Sequence, residues 1–101
     1  MDYIEWNYMQ AKKQADRLDE QADRLSKLAS QQMEGTLRDL SYNWKGSSAA
    51  AYIGKGERLE AEISALARDL RRTAGVIRSS AERTYRAEMR ARELAKNRSY
   101  S

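Results

Sequence analysis

The sequence predicts an all-α protein built as an antiparallel hairpin of two long helices, and three observations predict it. Ala, Leu, Glu, Arg, Lys and Gln dominate, with no Pro, Phe or Cys and few β-branched residues, which is the composition of long helices and coiled coils. Apolar residues recur in steps of three and four over nearly the whole chain. Only around Leu40-Ser41-Tyr42-Asn43-Trp44-Lys45-Gly46-Ser47-Ser48 do Asn, Gly and Ser gather, so the chain turns there.

The first helix is expected over about residues 3–40. Asp2 is placed to cap it, with Glu5 three positions on in capping-box spacing. Its apolar seam runs Ile4, Tyr8, Ala11, Ala15, Leu18, Ala22, Leu25 and Ala29, a heptad that keeps one face toward a partner helix, and continues less regularly through Met33, Thr36 or Leu37, and Leu40. The many alanines let helix axes approach closely. Away from the seam, Glu20 with Arg24 and Asp23 with Lys27 are acid-to-base pairs four apart. Four carboxylates over two turns, without His or a wrapping loop, read as a salt-bridged surface rather than a metal site.

The turn is expected over about residues 41–47, and the second helix over about 48–96, capped by Ser47 or Ser48. Its seam reads Tyr52, Gly56, Leu59, Ile63, Leu66, Leu70, Thr73 or Ala74, Ile77, Ala81 and Thr84 or Tyr85. At about 1.5 Å per residue the helices are about 55 and 70 Å long, so the second overhangs, with Asp2 opposite roughly Arg83. Trp6, Tyr3 and Tyr8 are expected to cover the apolar side of the overhanging arm. Two helices alone bury one stripe each, and two hairpins close a four-helix bundle. With 41% hydrophobic against 34% charged residues in 101 positions, one chain has little core of its own. A dimer is expected, with Leu18, Leu25, Tyr52, Leu59, Ile63, Leu66, Leu70 and Ile77 as its seam.

Charge is uneven: residues 1–50 hold seven bases against eight acids, and the second half carries the positive excess. That basic arm suits an acidic protein surface, nucleic acid or anionic lipid. The acids Glu82, Glu88 and Glu93 interrupt it, and no aromatics interleave, so a nucleic-acid binder or a purely structural coiled coil stands as the alternative reading. With no His or Cys, the usual bases, nucleophiles and zinc ligands are missing, and no Ser has a partnering base. No enzyme, cofactor or small-molecule substrate is expected. Nor is there a basic-then-apolar leader or a run of about 18 apolar residues.

A chain of this length, with two helices and a central Trp-x-Gly at Trp44-Lys45-Gly46, resembles the WXG100 (ESAT-6-like) family of small bacterial proteins exported by type VII (ESX) secretion systems. The small run Ser47-Ser48-Ala49-Ala50-Ala51 before Tyr52 also looks like the family's start of the second helix. The resemblance implies hairpins that form homodimers or pair with a related helical-hairpin protein. It implies export in folded form without a cleaved leader, through a type VII ATPase, or service as partner or chaperone of a larger toxin with a helical N-terminal domain. Trp44 and Gly46 would be the turn and export motif. The family's second signal is a Tyr followed four residues later by an acid. Here Tyr85 is followed by Met89 at four and Glu88 at three, so Tyr85 and Glu88 are the candidate C-terminal signal in variant form.

Overall fold

A computed structural model describes residues 2–99. Among them the chain is helical almost throughout, with no strand: α1 spans Tyr3–Lys27, a π-helical stretch Leu28–Met33, α2 Glu34–Asn43 and α3 Ser47–Ser99.

Asp2 starts α1 as its chemistry demands. Its Oδ1 accepts the backbone N–H groups of Ile4 at 2.9 Å and Glu5 at 3.1 Å, occupying two of the donors that a helix leaves unpaired at its start. The expected first helix is therefore three segments rather than one, joined without leaving helical backbone angles at Lys27, Met33 and Glu34. The interruption has a reason in the seam. Ala15, Ala22 and Ala29 are buried seven residues apart, and the next step of seven falls on polar Thr36. A π turn takes up about one extra residue, so Leu37 takes the half-buried position and Thr36 stays exposed.

The reversal follows directly on α2. Trp44 is extended (φ −125°, ψ 114°), although its N–H still donates to Leu40 O at 2.8 Å. Side chains then satisfy the last turn's carbonyls: Asn43 Nδ2 donates to Asp39 O, and Lys45 Nζ to Ser41 O. Gly46 has φ +114°, a conformation costly to any residue with a Cβ. Its carbonyl accepts the Ala50 N–H at 3.1 Å, so α3 starts at Ser47 with Gly46 before it. The expected Ser cap gives way to the glycine.

The chain divides into two compact units, one of Met1–Leu18 with Arg72–Ser101 and one of Asp19–Arg71. In the first, the early part of α1 and the late part of α3 run in opposite directions. Asp16 meets Arg78 at 2.7 Å, Tyr8 stacks obliquely on Tyr85 with centroids 4.8 Å apart, and Asp2 meets Arg92 at 3.0 Å. This corrects the expected register: the partner of Asp2 is Arg92, not the neighbourhood of Arg83, so α3 is accompanied nine residues further. Four positions expected in the turn, 41–43 and 47, are helical instead: helix persists to Asn43 and resumes at Ser47.

In the second unit, Asp23 meets Arg71 at 2.9 Å, and Arg71 also donates to Ser26 Oγ at 3.2 Å. Asp23 therefore bonds across to α3 rather than to Lys27. Pairs four residues apart form instead at Glu34–Arg38, and in the first unit at Glu82–Arg86. A methyl built on Gly56 would come within 2.5 Å of Leu37 Cδ2; the missing side chain at position 56 is what admits Leu37.

Among the described residues the fully buried ones are all alanine: Ala15 and Ala74 in the first unit, and Ala22, Ala29, Ala49 and Ala67 in the second. No large side chain among the described residues is fully buried. At roughly 0.8 kcal/mol per buried carbon group, six methyls supply about 5 kcal/mol before the far larger entropy of ordering the chain is met.

Candidate interaction surfaces

Each unit has one flank closed by charge and one left apolar. In the second unit, Asp23, Ser26 and Arg71 close one side. On α3 of that unit, Ala67 is buried while its neighbour Leu66 is 49% exposed, Leu59 50% and Tyr52 68%. These three lie seven residues apart on one line of the helix. Ile63 and Leu70, also seven apart, are half-buried between that line and the Ala67 line. The apolar arc of α3 is thus three positions wide per heptad, and α1 and α2 cover only part of it.

The expected seam divides accordingly. Leu18, Leu25, Ile63, Leu70 and Ile77 are half-buried, whereas Tyr52, Leu59 and Leu66 stand in solvent. Leu37 and Gly56 meet as seam positions of their two helices, whereas Ala67 lies outside the expected seam. A search for apolar steps of three and four prefers Leu66 to Ala67, yet an alanine ladder on one helix calls for small residues on the other. That requirement was the available signal.

The first unit holds an apolar groove of about 360 Å³ lined by residues that include Ile4, Tyr8, Ala11, Ile77, Tyr85 and Glu88. Lys12 Nζ lies 5.1 Å from the centre of the Tyr8 ring, within cation–π range. Tyr85 of the candidate C-terminal signal therefore has its ring engaged with Tyr8, and Glu88 borders the same groove. The Arg92 guanidinium, by its hydrogen bond to Asp2, holds that carboxyl down at about 2, with help from the Glu5 and Ile4 amides, and the same bond raises Arg92. Tyr3 and Trp6 do not cover the arm as expected. They are 75% and 51% exposed, whereas Tyr8 stacks on Tyr85 of α3.

At the turn, Trp44 packs obliquely on Tyr52 with centroids 5.7 Å apart and remains 39% exposed. The turn motif belongs to one unit and the Tyr85–Glu88 pair to the other. Among the described residues no group of three acids is placed to hold a metal ion, and no helix is long and apolar enough to cross a membrane. No known protein family, curated protein or solved structure matches the chain.

Proposed function

We propose that the chain is a non-catalytic interaction module: an antiparallel helical hairpin that pairs with a second hairpin, its own copy or a related chain, into a four-helix bundle. One observation supports the pairing above the others. The line Tyr52, Leu59, Leu66 is exposed beside a buried alanine line, so the apolar arc is wider than one neighbour covers. An all-alanine core points the same way, since it leaves most of the available apolar surface for a partner.

In this reading the bundle is a substrate of a type VII secretion system, or the helical partner of a larger toxin that such a system exports. Support comes from the Trp44-Lys45-Gly46 turn, where Gly46 holds a positive φ and Trp44 keeps an exposed ring edge. Export would start from the cytoplasm of a bacterium. The test is the protein's appearance in culture supernatant with the type VII ATPase intact and its retention in an ATPase-null strain. Equal export from both strains overturns the secretion reading, while sedimentation of the purified chain tests the pairing separately.

A further inference from the structure

The outer side of α1 in the first unit carries a surface that neither the pairing nor the turn uses. Trp6 lies nine residues before the buried Ala15, about two and a half turns, which puts it on the opposite side of the helix. Lys13 and Arg17, seven and eleven residues after Trp6, fall on the same line. Tyr3, Met9 and Gln10 flank it within about 60°. Tyr3, Trp6 and Met9 are all exposed by half or more.

Within the unit the charges on this line are both basic, Lys13 and Arg17, and the next charge along it, Glu20, belongs to the other unit. Asp2 and Asp16, two of the three acids among residues 1–18, are drawn into ion pairs with Arg92 and Arg78. The third, Glu5, is adjacent to Trp6 and so about 100° round the helix. The unit as a whole holds eleven bases against six acids. A face made of Trp, Tyr and Met edged by Lys and Arg matches the headgroup layer of an anionic bilayer. There the amphipathic rings sit among the headgroups while the cations meet lipid phosphates.

We propose that this face, centred on Trp6 with Lys13 and Arg17, docks the protein peripherally on an anionic lipid surface. Docking is independent of pairing, because the face points away from the Ala15 side of α1. Three interfacial side chains and two cations give reversible attachment that falls as salt screens the charges.

The test uses the full chain in a Trp44→Phe background, leaving Trp6 as its one tryptophan. With vesicles of equimolar phosphatidylcholine and phosphatidylglycerol, Trp6 emission should shift to the blue and the protein should co-sediment. Neither should occur with phosphatidylcholine alone, and added salt should reverse both. Co-sedimentation of the Trp44-containing chain should weaken at least about fivefold in Lys13→Glu, and also in Trp6→Ser, with far-UV circular dichroism unchanged; Arg17→Gln provides a second, milder charge variant. Binding unaffected by these substitutions, or equal on both vesicle types, overturns the proposal. So does a salt-sensitive response to single-stranded oligonucleotide with none to vesicles, which would assign the face to nucleic acid.

Discussion

The two units solve the same problem, holding thin helices together, with different means. The unit of Met1–Leu18 and Arg72–Ser101 has a surplus of five positive charges and uses it in long-range ion pairs, Asp2–Arg92 and Asp16–Arg78, around one aromatic pair. The unit of Asp19–Arg71, with eight bases against nine acids, is nearly neutral. It has the Asp23–Arg71 pair across its helices but relies more on close approach: four of the six buried alanines, Gly56 under Leu37, a π turn and the Gly46 turn. Charge pairs tolerate solvent and change, because exposed pairs contribute little individually. Close approach tolerates neither extra volume nor a new charge, so substitutions in the second unit should cost more.

The largest effect is expected from Leu66→Asp. Placing a carboxylate on the line proposed to meet a partner should weaken the proposed pairing by about 3 kcal/mol or more, roughly a hundredfold in Kd. Analytical ultracentrifugation would read this as a shift to monomer or to unfolded chain. A helical dimer of unchanged affinity would show that the Tyr52, Leu59, Leu66 line is not the contact. Next comes Ala67→Leu, which overfills a position with no free space and should cost about 1–3 kcal/mol in thermal unfolding, whereas Leu66→Ala should leave the helix ladder itself intact.

Glycines sharpen the same contrast. Gly46→Ala should destabilise by about 1 kcal/mol or more, because φ +114° strains any Cβ. Gly75→Ala in the other unit meets nothing within 4 Å and should stabilise by up to about 1 kcal/mol. Thermal melts of the two variants should therefore move in opposite directions.

The smallest effect concerns the clamp at Asp2. Its carboxyl is held below its unfolded value, so its contribution is complete above the ordinary carboxylate range and is lost as pH falls toward about 2. Asp2→Asn should remove that part of the acid dependence while leaving the rest of the titration. The Asp2 side-chain resonance, followed by NMR through the same range, locates the midpoint.

Much of this was legible in the residues. The capping of α1 by Asp2, the seam through Ala15, Ala22 and Ala29, and the break after Asn43 all follow from local chemistry that acts over a few positions. Leu66 and Ala67 show where legibility stopped. Adjacent residues on a helix differ by about 100° in direction, and nothing local says which of two neighbouring apolar lines the nearer helix takes. Tyr3 and Trp6 stand in solvent against expectation for a related reason: an aromatic's apolar area invites burial, but its direction depends on where the neighbouring helix lies.

By itself, then, the sequence determined helix nearly throughout, one break at Trp44-Lys45-Gly46 and a basic late segment, because propensity, capping and the need for glycine at a positive φ act locally. Only the tertiary structure decided that Asp2 meets Arg92, that Leu37 rather than Thr36 continues the seam, and that Tyr52, Leu59 and Leu66 are left in solvent. Those outcomes depend on the distance and register between segments far apart in the chain, set by methyl-sized contacts between alanines and by one added residue in a π turn.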